Sequence, residues 1–236
     1  MQTIGGYEVL DELARGGMGV VYRGRDPRNG GLVAIKLILA GREAGDASLR
    51  RFEREAAALS RVRHTNVLAI HGSGFERGAP YLVTDLLTGG TLQERINRQG
   101  PLPPTEAAAL TAAIARGVAL VHANGILHRD LKPENVLLRP GGEPCLADFG
   151  LVSELDPARS RLTATGSLLG TPSFMSPEQA KGDWSGLGPH SDVYGLGAIL
   201  YTALTGAPPA SGASLTDILL CAIDTAPPSP SSFGRP

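Results

Sequence analysis

A chain of 236 residues, 42% hydrophobic and 19% charged, has the length and composition of one large globular domain or two small ones. Its formal net charge of −1 supplies no basic field for a nucleic acid or an anionic membrane surface, so neither is an expected partner. Cys145 and Cys221 lie far apart without CxxC spacing, which argues against a disulfide framework or a zinc knuckle and suits a reducing, cytoplasmic compartment. The opening "MQTIGGYEVLDEL" carries acids where a signal peptide carries basic residues. No run of roughly 18 apolar residues occurs; "VYGLGAILYTALTGAPPA" comes nearest and is broken by glycine and proline, so no membrane segment is expected within this chain.

The predicted elements begin with short β-like runs, "YEVLDEL", "GVVYRGRD" and "LVAIKLIL", separated by glycine-rich turns. Residues 48–61, "SLRRFEREAAALSR", repeat Leu49, Phe52, Ala56 and Leu59 at helical spacing and predict an amphipathic helix. "VLAIHGSGF" and "APYLVTDLL" read as two further strands. After the glycines at 89–90 the character changes. "TLQERINRQ" is a helix candidate, and "PPTEAAALTAAIARGVALVHANG" is a long one, with Pro104 and Thr105 at its start and Gly125 at its stop. A boundary near 86–90 therefore divides a strand-rich half, 7–86, from a helix-rich half, 87–226, and a Pro/Ser-rich tail, 227–236, is expected to be loose. "SDVYGLGAILYTAL" reads as a further helix with Ser191 as its N-cap, and "SLTDILLCAID" reads as the last helix.

Several stretches carry polar groups that folding alone does not demand. "LARGGMGVVYRG" is a glycine-rich turn between strands. Glycines let a backbone approach phosphate oxygens and present N–H groups to them, although such a pattern by itself is commonly a plain hairpin. Lys36 in "VAIK" stands in an apolar strand, where a strand-end lysine is usually solvated but an anion or a carboxylate gives it another purpose. Glu55 alone reads as a surface glutamate. "HRDLKPENVLL" is far more specific. Pro133 forces a turn or extended backbone between Asp130 and Asn135, and that geometry aims a carboxylate, an amide and Lys132 into one cleft. "ADFG" follows after a turn, and the oxygens of Asn135 and Asp148 suit a hard divalent cation.

On "GGMGVVYRG", "VAIK", "REA", "HRDLKPENVLL", "ADFGL", "GTPSFMSPEQA" and "SDVYGLGAILYTALTG", the chain resembles the catalytic domain of eukaryotic-like serine/threonine protein kinases, most of all their bacterial branch. The resemblance implies an α+β, bilobal fold, with a small β-rich lobe bearing one main helix and a larger helical lobe. In that family "SDVYGLGAILYTAL" would be the central helix of the second lobe, with Asp192 reaching the catalytic-loop backbone. It implies ATP and Mg2+ as cofactors. Leu13, Ala14, Gly16, Gly17, Met18 and Gly19 would cover the nucleotide, Val21 and Ala34 would sandwich the adenine, and the linker with Thr84, Asp85 and Leu87 would pair with its edge. Lys36 would hold the α/β-phosphates with Glu55 orienting it, and Asn135 and Asp148 would hold magnesium. Asp130 would accept the substrate proton and Lys132 would neutralise the phosphate in transit. Lys132 and Thr171 mark the serine/threonine class. Arg129 implies a switch by phosphorylation within "SRLTATGSLLGTP", where Ser160, Thr163, Thr165 and Ser167 are candidates and Thr163 and Thr165 are favoured. Partners would be protein substrates bearing Ser or Thr, with self-association for autophosphorylation between copies.

The sequence also departs from the family pattern. Ala14 replaces the first loop glycine, "SPE" replaces "APE", and Asp85 stands where Glu is commoner, a change expected to have little effect because its backbone does the work. The chain stops before the family's last helices, so an incomplete C-lobe is expected, with Glu178 buried without its usual arginine and stability reduced; a natural protein could continue into a membrane anchor. Three classes are weighed: an active protein kinase, a weakly catalytic pseudokinase or scaffold, and a small-molecule phosphotransferase of kinase-like fold. Autophosphorylation separates the first two. The third would lack "GTPSFMSPEQ".

Overall fold

The computed structural model describes residues 2–16, 19–39, 45–152 and 172–233. The first half forms a six-stranded antiparallel sheet from β1 (Thr3–Ile4), β2 (Tyr7–Gly16), β3 (Gly19–Arg25), β4 (Leu32–Ile38), β5 (Ile70–Glu76) and β6 (Ala79–Asp85), in the order β1-β2-β3-β4-β6-β5. The helix α1 (Asp46–Leu59) begins two residues before the predicted stretch and buries Phe52, Ala56 and Leu59, as its apolar stripe requires. The two-residue β1 has too little pattern to be legible in sequence.

Strand alternation sorts the sheet's side chains. Val33 and Ile35 of β4 are buried with Ile4, Tyr7, Tyr81 and Val83 on one face. Ala34 and Lys36 take the other face and are half-buried. Register then places Val21 opposite Lys36, and Ala34 opposite Thr84. Gly19 is fixed by close approach, since a Cβ there would stand 2.1 Å from the Leu37 carbonyl oxygen.

The second half is helical: α2 (Leu92–Gln99), α3 (Pro104–Ala123), α4 (Pro177–Ala180), α5 (Pro189–Thr205) and α6 (Leu215–Asp224), with a two-stranded β7 (Val136–Leu138) and β8 (Pro144–Leu146). Thr91 caps α2 through a reciprocal bond pair with Glu94. Pro104 opens α3 at its first turn, where a missing N–H costs nothing. By length and apolarity α3 could cross a bilayer; here Ala107, Leu110, Ile114, Val118 and Val121 pack into the main core. Two sequence expectations need correction. The N-cap of α5 is Gly188, not Ser191; Ser191 sits inside the first turn, where its hydroxyl accepts from the Gly188 N–H. The tail is not all loose, because residues 230–233 form a 3-10 turn and the Phe233 ring stands edge-on to Tyr201 at 6.1 Å.

One core cluster joins the halves, running from Ile38, Phe52 and Leu59 through Val67, Leu92, Leu131 and Phe149 to Ile199 and Ala203. Backbone clips hold the join. The Gly89 N–H bonds Leu138 O and the Leu138 N–H bonds Gly90 O, while Leu68 and Asn66 bond Leu146. At Gly195, α5 runs so close to the polar loop that an added Cβ would lie 2.6 Å from Leu131 Cβ. Gly195→Ala gains up to ~1 kcal/mol of helix propensity against roughly 1–3 kcal/mol of overpacking. Because the clashing atom is fixed to the backbone of the loop, the melting temperature is expected to fall, as calorimetry would show.

Candidate active site

The loop between α3 and β7 is organised by Asp192, in the first turn of α5 and 2% exposed. Its Oδ2 accepts from the His128 N–H at 2.8 Å and its Oδ1 from the Arg129 N–H at 2.8 Å. His122, in the last turn of α3, brings Nε2 to 2.6 Å from the same Oδ2. A buried carboxylate needs several donors, and this one has them from three directions. Arg129 adopts a left-handed φ of 66°, uncommon for a side chain of its size. Its carbonyl accepts from Gln179 Nε2 at 2.7 Å.

His128 is fully buried, with its ring 4.7 Å from that of Phe149. Nε2 donates to Ala147 O at 3.0 Å, and Nδ1 accepts from the Asp130 N–H at 3.3 Å. Burial lowers the imidazole's pKa, outweighing the carboxylates of Asp192, Asp130 and Asp148 that pull it up. The neutral ring therefore acts as a spacer between Asp130 and the Ala147–Asp148 strand end.

Asp130 lies beside Lys132 and Asn135. Lys132 Nζ is 3.0 Å from Asp130 Oδ2 and 3.2 Å from Oδ1. Asn135 Nδ2 donates to both Asp130 O, at 2.7 Å, and Oδ2, at 3.0 Å. With its NH2 group so used, the Asn135 amide oxygen is the atom left for a further partner. The Ala147 N–H bonds Asn135 O, which brings Asp148 alongside. Asp148 is left-handed at φ 55°, and its carboxylate, 46% exposed, meets Lys36 Nζ at 2.6 Å.

The structure thus groups Asp130, Lys132 and Asn135 by shared hydrogen bonds and sets the Lys36–Asp148 pair beside them through the Ala147 N–H bond to Asn135 O. Glu55 is placed otherwise than expected: the carboxylate paired with Lys36 is Asp148, while Glu55 stands 3.7 Å from Arg129 Nη1. Leu13, Ala14 and Gly16 are exposed, and Val21, Ala34, Thr84, Asp85 and Leu87 are half-buried. Asp85 does more than lend its backbone, since its carboxylate pairs with His71 Nε2 at 2.7 Å. Gly17, Met18, Ser160, Thr163, Thr165, Ser167 and Thr171 lie outside the described residues.

Glu178 corrects an expectation. It has partners: the Ser191 hydroxyl donates to its Oε1, and His190 Nε2 lies 3.4 Å away. Burial pushes its pKa up, but the hydrogen bond from Ser191, with His190 nearby, holds it below the usual range. Beyond α1, a cavity of about 330 Å3 is lined by Arg51, Arg54, Glu55, Ala58, Asn124, Gly125, Ile126 and Arg129. Sequence reasoning missed His122 and Gln179, whose partners Asp192 and Arg129 are remote in the chain, and it missed Arg51 and Arg54, which line this cavity.

The model of the protein kinase domain matches residues 7–227. The serine/threonine-protein kinase PknL of Mycobacterium tuberculosis is 40% identical over 219 residues, 92% of this chain and 54% of that protein. The DNA damage-responsive serine/threonine-protein kinase RqkA of Deinococcus radiodurans is 44% identical over 222 residues, 91% of this chain and 32% of its own length. The chain therefore spans about half the length, or less, of these relatives. Among solved structures, the PknI kinase domain of Mycobacterium tuberculosis superposes with a TM-score of 0.76 at 28% identity, covering 98% of this chain and 82% of that one.

Asp192→Ala would leave the His128 and Arg129 amides buried without their acceptor. Removing one member of such a buried charged network costs roughly 3–5 kcal/mol, so the denaturation midpoint should fall by a corresponding amount. Asp192→Asn keeps one acceptor oxygen and should lose less.

Proposed function

We propose that this chain, which belongs to the protein kinase family, transfers the γ-phosphoryl group of ATP to serine or threonine hydroxyls of proteins. The observation that carries the reading is the cleft in which Asp130, Lys132 and Asn135 share hydrogen bonds and Lys36 pairs with Asp148. The relatives named serine/threonine-protein kinase support the substrate class.

Each residue has a task that its position suits. The β2–β3 hairpin, from Leu13 through Gly16 and Gly19, offers backbone N–H groups above the triphosphate, and Val21 and Ala34 enclose the adenine, whose edge faces the 84–87 backbone. Lys36 turns from Asp148 to the α/β-phosphates. The oxygens of Asn135 and Asp148 fit magnesium, a hard cation bound through few protein oxygens together with phosphates, which would neutralise charge on the transferred group. Asp130 orients the substrate hydroxyl and takes its proton as oxygen attacks γ-phosphorus; the bond from phosphorus to the β–γ bridging oxygen breaks, and ADP leaves. Lys132, already held on Asp130, offsets charge on the phosphoryl oxygens in transit.

Regulation follows from Arg129. Its pairing with Glu55 occupies both groups. A phosphate on Thr163 or Thr165 would compete for Arg129 and for Arg51 and Arg54 at the cavity rim, leaving Glu55 available to Lys36. Phosphorylation between two copies, and a cytoplasmic location where ATP is supplied, belong to the same reading. A merely binding scaffold is disfavoured by the relatives, which are named serine/threonine-protein kinases.

Asp130→Asn should lower transfer by roughly 10²–10⁴-fold with nucleotide affinity nearly intact, measured by phosphate incorporation and nucleotide titration; unchanged transfer would refute the assignment. Asp148→Asn should instead abolish magnesium-dependent nucleotide binding. Mass spectrometry after incubation with Mg-ATP should locate phosphate on Thr163 or Thr165, and replacing both with alanine should lower activity without lowering the melting temperature.

A further inference from the structure

We propose that Gln179 is a positioning residue for Asp130: its side-chain amide fixes the peptide unit that joins Arg129 to Asp130. This rests on the reading of Asp130 as the proton acceptor. The amide is held at both ends. Oε1 accepts from the Ser176 N–H at 3.0 Å, and Nε2 donates to Arg129 O at 2.7 Å. Only this orientation of the amide satisfies both, because one partner is a donor and the other an acceptor.

The peptide unit needs such a hold. Arg129 occupies the left-handed region, a conformation that persists only where its surroundings impose it. On the amino side, Asp192 takes the Arg129 N–H at 2.8 Å. On the carboxyl side, the Asp130 N–H donates to His128 Nδ1 at 3.3 Å, a longer bond than the one from Gln179. The short contact on that side is the one from Gln179. The α5 carboxylate and the α4 amide therefore grip Arg129 from opposite sides, and the direction in which the Asp130 carboxylate leaves the chain depends on both. Glu178 makes α4 a firm base for this grip, since the Ser191 hydroxyl on α5 donates to it.

The substitution Gln179→Glu tests this cleanly. Glutamate can accept from the Ser176 N–H as glutamine does, but it has no N–H for the Arg129 carbonyl. Small misplacements of a reacting group are costly, so kcat should fall roughly ten-fold or more, with the KM for ATP like that of the unaltered chain and a fall in melting temperature smaller than that of Gln179→Met. Amide exchange in a peptide spanning 126–132 should quicken, while a peptide from α3 stays unchanged. Gln179→Met, which loses the cap as well, should show the same exchange effect together with a lower melting temperature. Parent-like kcat and exchange in Gln179→Glu would overturn the proposal, as would a loss of kcat in both variants that only tracks their melting temperatures. If the unaltered chain transfers no phosphate, the reading of Asp130 fails instead, and the exchange measurement alone decides whether Gln179 holds the loop.

Discussion

The buried carboxylate of Asp192 is the contact on which the rest of the site depends. An ionised group that is 2% exposed is tolerated only where charge-assisted hydrogen bonds replace its water. Those bonds come from the backbone of His128 and Arg129 and from the His122 ring, so α3, α5 and the loop are tied at one point. Position is then passed outward. Arg129 is held left-handed, Asp130 follows it, and the His128 ring spans to Ala147 and Phe149, next to Asp148. Both acids of the proposed reaction are thus set from one buried charge.

The parts of this arrangement legible in the sequence are those whose pattern is local. The hairpin of β2 and β3, the stripe of α1 and the helical runs of α2 and α6 declare themselves through period and turn residues within a few positions. The polar loop was legible too, because a knot of His, Arg, Asp, Lys and Asn between apolar runs has no role in folding. The capping pattern from Ser176 to Gln179 accounts for one end of the Gln179 amide, but its other end meets Arg129, 50 residues away, and nothing local predicts that. Ser191 misled for a similar reason. It is a good capping residue in sequence, yet Gly188 and Pro189 start the helix earlier and leave its hydroxyl to Glu178. Which carboxylate meets Lys36 is likewise a matter of how α1 sits against the sheet, and that is decided by tertiary packing.

The pairing of charges in the cleft shows how such a site can stand folded before its anionic substrate arrives. Lys36 is matched by Asp148, Lys132 by Asp130 and Arg129 by Glu55. Left alone, any of these half-buried cations would be costly; paired, each is neutralised at short range. The pairs are not equivalent. Asp148 is the most exposed of the three acids, at 46% of its side chain, and an ion pair open to water contributes little net stability. Its exchange for a phosphate on Lys36 is therefore the easiest. Asp130 is tied down by Asn135 as well as Lys132, so that pair stays in place while partners around it change. Glu55 can reach Lys36 only by giving up Arg129, and Arg129 can give up Glu55 cheaply only when another anion is offered. The cleft thus separates a fixed pair, a pair that yields to nucleotide, and a pair that yields to a second anion, and that ordering of exposure and tethering is what lets binding and switching act on one set of charges.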